Sequence, residues 1–239
     1  MPELPPPLPP EQRTVGQLVA ETIRAYGARF WRALPLGIPL AIADQAAVRH
    51  HLAAQMLLFL AVGPLFAGAY VWACALLHDR RPTWTAFALA LLIWLPFPAL
   101  RAGYLLPGIA WLALVGLAVP AALVEGLGLR AALVRGRQLG VADYVHAFGS
   151  LCALVIVVGI ASETLAALLH SQGQTGQRVA FLLSDLVLSP LLYLGGALLY
   201  LDQAARVGSR RSRERSRDAD LHPPVDPEPA GRADPQVES

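Results

Sequence analysis

The chain is poor in charge and contains no lysine. Only 15% of its 239 residues are charged, 55% are apolar, and its mean hydropathy is +0.49. Soluble domains carry roughly 25% charged residues, so this composition excludes an ordinary soluble domain. The nineteen basic residues other than histidine are all arginines. The net charge of +2 says little as a total, because the charges are unevenly distributed along the chain.

Cysteines and catalytic signatures are also scarce. The two cysteines, Cys74 and Cys152, lie in apolar stretches and are expected to be small buried hydrophobes. No Cys/His spacing is typical of a metal site, and the sequence has no HExxH, GxSxG or Walker loop. The sequence therefore predicts a protein that is not an enzyme and that holds no metal or cofactor. A membrane enzyme is the least favoured class.

Six apolar stretches occupy most of the chain. At ~1.5 Å per residue, about 20 apolar helical residues cross a ~30 Å hydrocarbon core. Prolines within several stretches are compatible with crossing, because neighbouring helices can satisfy the carbonyls that the prolines leave free. The expected fold is an all-α integral membrane protein with about six transmembrane helices, at residues 30–48, 52–77, 83–100, 102–124, 147–169 and 179–201.

The arginines predict the orientation of these spans. In the six-span layout, fifteen arginines lie on one side of the membrane. Arg49, Arg101 and Arg178 lie on the other side, and Arg232 lies far out in the tail. Because basic residues collect in cytoplasmic loops, we expect a multipass protein of the bacterial cytoplasmic (inner) membrane with both termini in the cytoplasm.

Two amphipathic helices are expected at the cytoplasmic surface. In residues 14–29, apolar side chains recur at three- and four-residue steps, and Thr14 and Gln17 have the spacing of a capping box. A second helix, a cytoplasmic elbow over residues 126–140, follows Gly126 and Gly128, with Leu129, Leu133 and Val134 as its apolar side. Both are predicted to lie in the membrane interface. The residues expected to meet anionic lipid headgroups or a partner are Glu125, Arg130, Arg135 and Arg137.

The ends of the chain have a different composition. Residues 1–13 are predicted to form a proline-rich, disordered arm. Residues 207–239 consist of an Arg/Ser run followed by an acidic, proline-rich segment. Neither part can bury much apolar surface, so a disordered cytoplasmic tail is expected. The arginines there serve as an orientation signal, or they lie on anionic lipid.

Three carboxylates fall within predicted spans. Asp44, Glu163 and Asp185 all lie toward the non-cytoplasmic ends of their spans. Acids inside a membrane are costly unless they are paired or reach water. One hypothesis is a shared acidic cluster that binds a cation or a basic group, or relays protons. The alternative is that each acid reaches the interface or pairs with an arginine in an outer loop.

The end of the last span carries Tyr200, Asp202 and Arg206. Asp202 and Arg206 are four residues apart, which predicts an ion pair on one helix face. Tyr200 is predicted to anchor the helix end at the cytoplasmic interface.

Several short motifs support a resemblance. These are Thr14-Val-Gly16, Pro120 with Glu125-Gly126, the Ala131–Arg135 run with Leu139, and Leu199–Asp202 with Arg206. In these the chain resembles uncharacterised bacterial multipass proteins that are similar to the membrane domain attached to some glycerophosphodiester phosphodiesterases. The resemblance implies a membrane architecture and no catalytic residues. This chain departs from the class at Gly136, where serine is usual, and at Ala204, where arginine is usual.

Two function classes remain open from the sequence. The first is a non-enzymatic scaffold or accessory subunit that acts on envelope lipids or proteins. The second is a small transporter or permease-like subunit with an intramembrane acidic site. The expected partners are the lipid bilayer and, in addition, a second copy of the chain or another membrane protein. Nothing in the sequence indicates nucleic-acid binding.

Overall fold

A computed structural model describes residues 9–47, 50–103, 105–168 and 173–221. Within these ranges the chain is helical and contains no β-strand, which confirms the all-α prediction. Two 3₁₀ turns, Pro10–Gln12 and Leu34–Gly37, accompany twelve α-helices. These are α1 (Val15–Ala28), α2 (Phe30–Ala33), α3 (Ile38–Ala47), α4 (Leu52–His78), α5 (Trp84–Trp94), α6 (Phe97–Gly103), α7 (Leu105–Val115), α8 (Ala118–Glu125), α9 (Leu129–Ala142), α10 (Tyr144–Leu168), α11 (Gly173–Leu188) and α12 (Pro190–Leu221).

Four helical stretches are long and apolar enough to cross a membrane. They are Leu52–His78, Leu105–Glu125, Tyr144–Leu168 and Arg178–Arg217, and a shorter apolar stretch covers Trp84–Leu100. Many of their large apolar side chains face outward, as on α4, where Leu57 and Trp72 are more than half exposed. A contiguous apolar exterior of this kind is suited to lipid and not to water. The stretches therefore indicate a membrane protein.

Four of the six predicted spans are interrupted. The first consists of α2, a 3₁₀ turn at Pro35 and α3, and its last predicted residue, Val48, lies outside the described ranges. The others break between α5 and α6 at Pro96, between α7 and α8 at Gly116, and between α11 and α12 at Ser189. Proline causes such breaks because it has no N–H and its ring clashes with the preceding turn. Pro64, by contrast, lies inside the continuous helix α4.

Aromatic side chains satisfy backbone carbonyls at these breaks. Pro120 cannot donate to the carbonyl of Gly116, and the Val119 amide reaches that oxygen only at 3.4 Å. The hydroxyl of Tyr70 on α4 donates to it at 3.2 Å. At the end of α5, Trp111 Nε1 donates to the carbonyl of Ile93 at 2.9 Å. A buried carbonyl without a partner is costly, so these bonds allow a broken helix inside an apolar bundle.

Helix α1 has the predicted bounds and the predicted capping box, in which Thr14 and Gln17 bond each other's backbone amides. Its buried stripe, however, is Leu18, Thr22 and Tyr26, which packs against α10 and α12. The apolar face of α1 therefore contacts protein, where the sequence predicted lipid. The hydroxyl of Tyr26 donates to the carbonyl of Val187 near the α11–α12 break at 2.7 Å. Burial raises the pKa of the Tyr26 phenol, so the hydroxyl keeps its proton and can donate this hydrogen bond.

The predicted elbow is a helix, α9, and the face it buries against the protein is distinct from the apolar side that the sequence predicts to meet the membrane interface. Ala132, Gly136, Leu139 and Gly140 are buried, whereas Leu129 and Val134 are about half exposed. A Cβ atom on Gly136 would lie 2.4 Å from the backbone nitrogen of Ala118. Glycine at position 136 therefore lets α9 approach α8 more closely than a residue with a side chain at that position would allow.

The Arg/Ser run is also helical, because α12 continues to Leu221. The prediction of disorder from residue 207 is therefore wrong for residues 207–221. Arginine, alanine and glutamate are good helix formers, and no proline occurs before Pro223. The rest of the predicted tail, residues 222–239, and residues 1–8 of the predicted arm lie outside the described ranges.

Replacing Tyr70 with phenylalanine tests the role of the aromatic donors. The Tyr70→Phe variant leaves the Gly116 carbonyl with only its long contact to Val119, and we expect it to lower the free energy of unfolding by about 1–3 kcal/mol. The matched control is Tyr193→Phe, since no hydrogen bond of the Tyr193 hydroxyl is seen among the described residues. Unfolding in a detergent titration measures both, and equal stability of the two variants would contradict the prediction.

Candidate functional site

A cavity of about 390 Å³ lies between α3, α4, α5, α7, α10 and α12. Three of the helix breaks reach it, because Phe97, Gly116 and Ser189 all belong to its lining. Irregular backbone at membrane depth is tolerated only where it is buried in protein or lines a cavity. The broken helices therefore surround this cavity, which we call the central cavity.

One wall of the central cavity is aromatic. Phe66 stacks on Trp94 with ring centroids 4.2 Å apart, and Trp94 stacks on Phe97 at 4.5 Å. Two glycines make room for this stack. A Cβ atom on Gly63 would lie 2.8 Å from Trp94, and one on Gly108 would lie 2.9 Å from Phe97.

Few polar groups line the central cavity. Among the described lining residues they are the carboxyl group of Asp44 on α3, the hydroxyls of Tyr70, Ser189 and Tyr193, and the indole N–H of Trp94. Tyr70 donates to the Gly116 carbonyl, and the Ser189 hydroxyl donates to the Asp185 carbonyl. Asp44 is the one aspartate, glutamate, arginine or histidine among the described lining residues. An apolar chamber with a few convergent polar groups is typical of a small-molecule site.

The three predicted intramembrane acids occupy different environments. Asp44 lines the central cavity, Asp185 is buried on α11, and Glu163 is exposed on α10. No three acids, histidines or cysteines within the described ranges are close enough to share a metal ion. The described residues therefore form no three-acid metal site, and of the three acids it is Asp44 that lines the central cavity.

A second polar region joins the segment before α1 to α12. We call Arg13, Asp143, Asp202 and Arg206 the polar clasp. Arg13 Nη1 lies 3.0 Å from Asp202 Oδ1, and Arg206 Nη1 lies 2.9 Å from Asp143 Oδ2. Arg206 also donates to the backbone carbonyl of Arg13 at 2.6 Å. The predicted Asp202–Arg206 ion pair is therefore replaced by two pairs to distant parts of the chain.

The polar clasp is partly buried, and it links three segments. Asp202 is fully buried on α12, Asp143 lies between α9 and α10, and Arg13 precedes α1. Arg210 adds a bond from the next turn of α12 to the carbonyl of Ala142 at 2.6 Å. Buried charges persist when they are paired and hydrogen-bonded. The clasp therefore holds the N-terminal segment against the last helix.

A third cluster brings together residues from three of the motifs. Glu125 accepts from Arg135 Nε at 2.9 Å and from the Tyr200 hydroxyl at 2.8 Å. Tyr200 is only 3% exposed, and the ring of His78 meets its ring edge to face. The Tyr200 ring is therefore buried, and its hydroxyl bonds to Glu125, an exposed residue at the end of α8. Arg130 and Arg137 remain exposed on α9, as expected for headgroup contacts.

Sequence reasoning missed Arg13 and Asp143 as parts of a site. Arg13 and Asp202 are 189 residues apart, so no local spacing relates them. For the central cavity a signal did exist. Prolines and glycines interrupt several spans, and such interruptions in corresponding segments often mark a binding site in membrane transporters.

These features define the class of the protein. The described residues form an α-helical membrane protein with four helical stretches long and apolar enough to cross a bilayer, in which broken helices surround an apolar chamber. No family model, curated protein or solved structure matches the chain.

The polar clasp leads to a prediction about stability. Arg13→Met keeps most of the side-chain volume but leaves Asp202 buried without its partner, and we expect a loss of about 3–5 kcal/mol in the free energy of unfolding. Adding Asp202→Asn to that variant should recover part of the loss. The control is Arg24→Met, because the Arg24–Glu21 pair lies on the exposed side of α1, where such pairs contribute about 0–1 kcal/mol.

A double-mutant cycle in a detergent titration measures this coupling. Additive effects of Arg13→Met and Asp202→Asn would show that the two side chains act independently, contrary to the geometry of the clasp.

Proposed function

We propose that this chain is a non-enzymatic, six-span protein of the bacterial inner membrane, with both termini in the cytoplasm. It acts as a scaffold or accessory subunit on envelope lipids or proteins, and it holds one apolar or amphiphilic molecule in the central cavity. The observation that carries the proposal is the cavity itself, a chamber of about 390 Å³ between membrane-length helices.

The lining supports an apolar ligand body. Most lining side chains are aliphatic or aromatic, such as Leu112, Leu154 and Phe66. Burial of apolar surface favours binding by about 25 cal/mol per Å², although a ligand that arrives from lipid gains chiefly from close packing and polar contacts. The few hydroxyls and Asp44 then orient the ligand.

The charge distribution supports the proposed topology. Arg130 and Arg137 are exposed on α9, and the arginines of α12 between 210 and 217 are exposed as well. With these segments on the cytoplasmic side, they would meet anionic headgroups at about 1 kcal/mol for each arginine near the surface. The two predicted spans that lack a long helix, 30–48 and 83–100, cross as broken helices in this arrangement.

The resemblance to membrane domains attached to glycerophosphodiester phosphodiesterases is part of the proposal. Glu125, Arg135 and Tyr200 belong to the motifs on which it rests, and they hydrogen-bond to one another. A shared structural cluster of this kind would explain why such residues recur together.

A small transporter or permease-like subunit is the second candidate. Asp44 lines the central cavity, and three broken spans meet there. Secondary transporters commonly bind substrate near the bilayer midplane between discontinuous helices. Flux of a bound molecule across vesicles that contain the purified protein would favour this function over the scaffold.

Cysteine labelling distinguishes six spans from four. Single cysteines replace Gln12, His50, Arg81, Gln174 and Ser216 in a background with Cys74→Ala and Cys152→Ala. With six spans, a membrane-impermeant maleimide added to intact cells should label positions 50 and 174 but not 12, 81 or 216. If residues 30–48 and 83–100 do not cross, position 81 should label and position 50 should not. That second pattern would contradict the proposed topology.

Filling the cavity tests the proposed binding. Gly159 on α10 lines the cavity, and an added Cβ atom would meet nothing within 4 Å. Because Gly159 is also exposed, it lies where the cavity opens, and we expect Gly159→Phe to fill that opening and to reduce saturable labelling of cavity residues by an alkyl diazirine probe in nanodiscs. The control is Ile160→Phe, since Ile160 is 63% exposed on the same helix. Cavity labelling that Gly159→Phe does not reduce would contradict the proposal.

A further inference from the structure

We propose that the central cavity selects an uncharged, apolar molecule that carries a carbonyl group, and that the Tyr193 hydroxyl donates a hydrogen bond to that carbonyl. The inference rests on the proposed function, because it names the chemical class of the molecule that the cavity holds and the residue that orients it.

The other polar side chains of the described lining already have partners. The Tyr70 and Ser189 hydroxyls both donate to backbone carbonyls. The indole N–H of Trp94 donates to a third backbone carbonyl at 3.3 Å, and Asp44 also has an interaction within the protein. Each of the three donors has a single proton, and that proton is in use.

Tyr193 differs from these residues. Its hydroxyl forms no hydrogen bond with any described residue, and its oxygen is not one of the unpartnered side-chain atoms that are sealed inside the protein. The oxygen therefore borders open space. Since Tyr193 belongs to the lining of the central cavity, its hydroxyl is the side-chain donor of the described lining that remains for a ligand.

The lining does not favour a charged ligand. No arginine or histidine belongs to the described lining, and its one carboxyl group, that of Asp44, already has an interaction within the protein. A charge that entered this apolar chamber would lose its hydration without gaining a free opposite charge. A carbonyl oxygen avoids that cost. It matches one hydroxyl donor and adds no proton that needs an acceptor of its own.

The packing of the lining indicates how the ligand lies. Tyr193 and Trp94 both pack against the buried cluster that contains Phe66. A separate cluster contains the lining residues Leu117 and Leu154. The carbonyl therefore lies beside aromatic residues, and the apolar body extends toward the leucines. At about 390 Å³ the cavity is near the lower end of the range of about 300–1,000 Å³ for ligand pockets, which favours a compact molecule with a single chain.

Two matched photoprobes test the inference. Both are alkyl diazirines of equal length, and one carries a ketone where the other has a methylene group. The purified full-length chain in nanodiscs is labelled at increasing mole fractions of probe in the lipid, and mass spectrometry maps the labelled residues. We expect the ketone probe to half-saturate cavity residues at a mole fraction about three- to tenfold lower than the hydrocarbon probe, which is the gain from one hydrogen bond.

Two substitutions attribute the preference to Tyr193. Tyr193→Phe removes the hydroxyl and keeps the ring, so we expect the two probes to bind this variant equally, with half-saturation by the hydrocarbon probe unchanged. Unchanged binding of the hydrocarbon probe also shows that the variant is folded. The control is Tyr144→Phe, which removes a hydroxyl outside the cavity lining and should keep the preference of the wild-type chain.

Infrared spectroscopy of the ketone probe gives a readout that packing alone would not change. A hydrogen bond weakens the C=O bond, so an isotope-labelled carbonyl bound to the wild-type chain should absorb at a lower frequency than the same probe in nanodiscs without protein. This shift should be present in Tyr144→Phe and absent in Tyr193→Phe.

A third probe tests the exclusion of charge. It carries a trimethylammonium group in place of the ketone, and we expect it to half-saturate cavity residues at a higher mole fraction than the ketone probe. Tighter binding of this cationic probe would overturn the selection of an uncharged ligand.

The outcomes separate the inference from the proposed function. Equal half-saturation by the ketone and hydrocarbon probes in the wild-type chain would overturn the selection of a carbonyl and leave the cavity as a binding site. A preference or an infrared shift that persists in Tyr193→Phe would overturn the role of Tyr193. Absence of saturable cavity labelling by every probe would overturn the proposed function itself.

Discussion

The need to satisfy backbone carbonyls at broken helices constrains this structure more than any other interaction. Prolines at 35, 96, 120 and 190 interrupt four of the six apolar segments or remove hydrogen bonds beside the interruptions. Inside an apolar bundle the freed carbonyls have no water to bond. At two of these breaks, Tyr70 and Trp111 supply the missing donors from neighbouring helices, so those two breaks specify which helices lie beside them. The central cavity occurs where these breaks converge.

Charged side chains have different roles in the polar clasp and in the central cavity. In the polar clasp, Arg13 and Arg206 pair with Asp202 and Asp143, and these contacts join the segment before α1 to α12. Paired charges of this kind specify geometry even where they add little net stability. In the central cavity, Asp44 is the one acidic or basic group of the described lining. The clasp is suited to holding the fold, and the cavity is suited to recognising a ligand.

Much of the architecture could be predicted from local sequence. The bounds of α4 and α10 follow from continuous apolar runs, and the start of α1 follows from the capping box at Thr14. The end of α8 follows from Gly126, whose backbone has a positive φ of 67°. The site residues were harder to predict. Asp202 and Arg206 have the spacing of a local pair, but their partners come from residues more than 60 positions away.

The sequence by itself determined the helical class, the apolar stretches and the places where they break, because hydrophobic runs, prolines and glycines act through their immediate neighbours. Only the tertiary structure decided which faces of α1 and α9 are buried. Small residues such as Gly136 allow a close approach that a hydropathy pattern does not register. Tertiary packing also decided that Asp44, and neither Glu163 nor Asp185, reaches the cavity. The depth of an acid in a span can be read from the chain, whereas the direction it faces depends on how the helices pack.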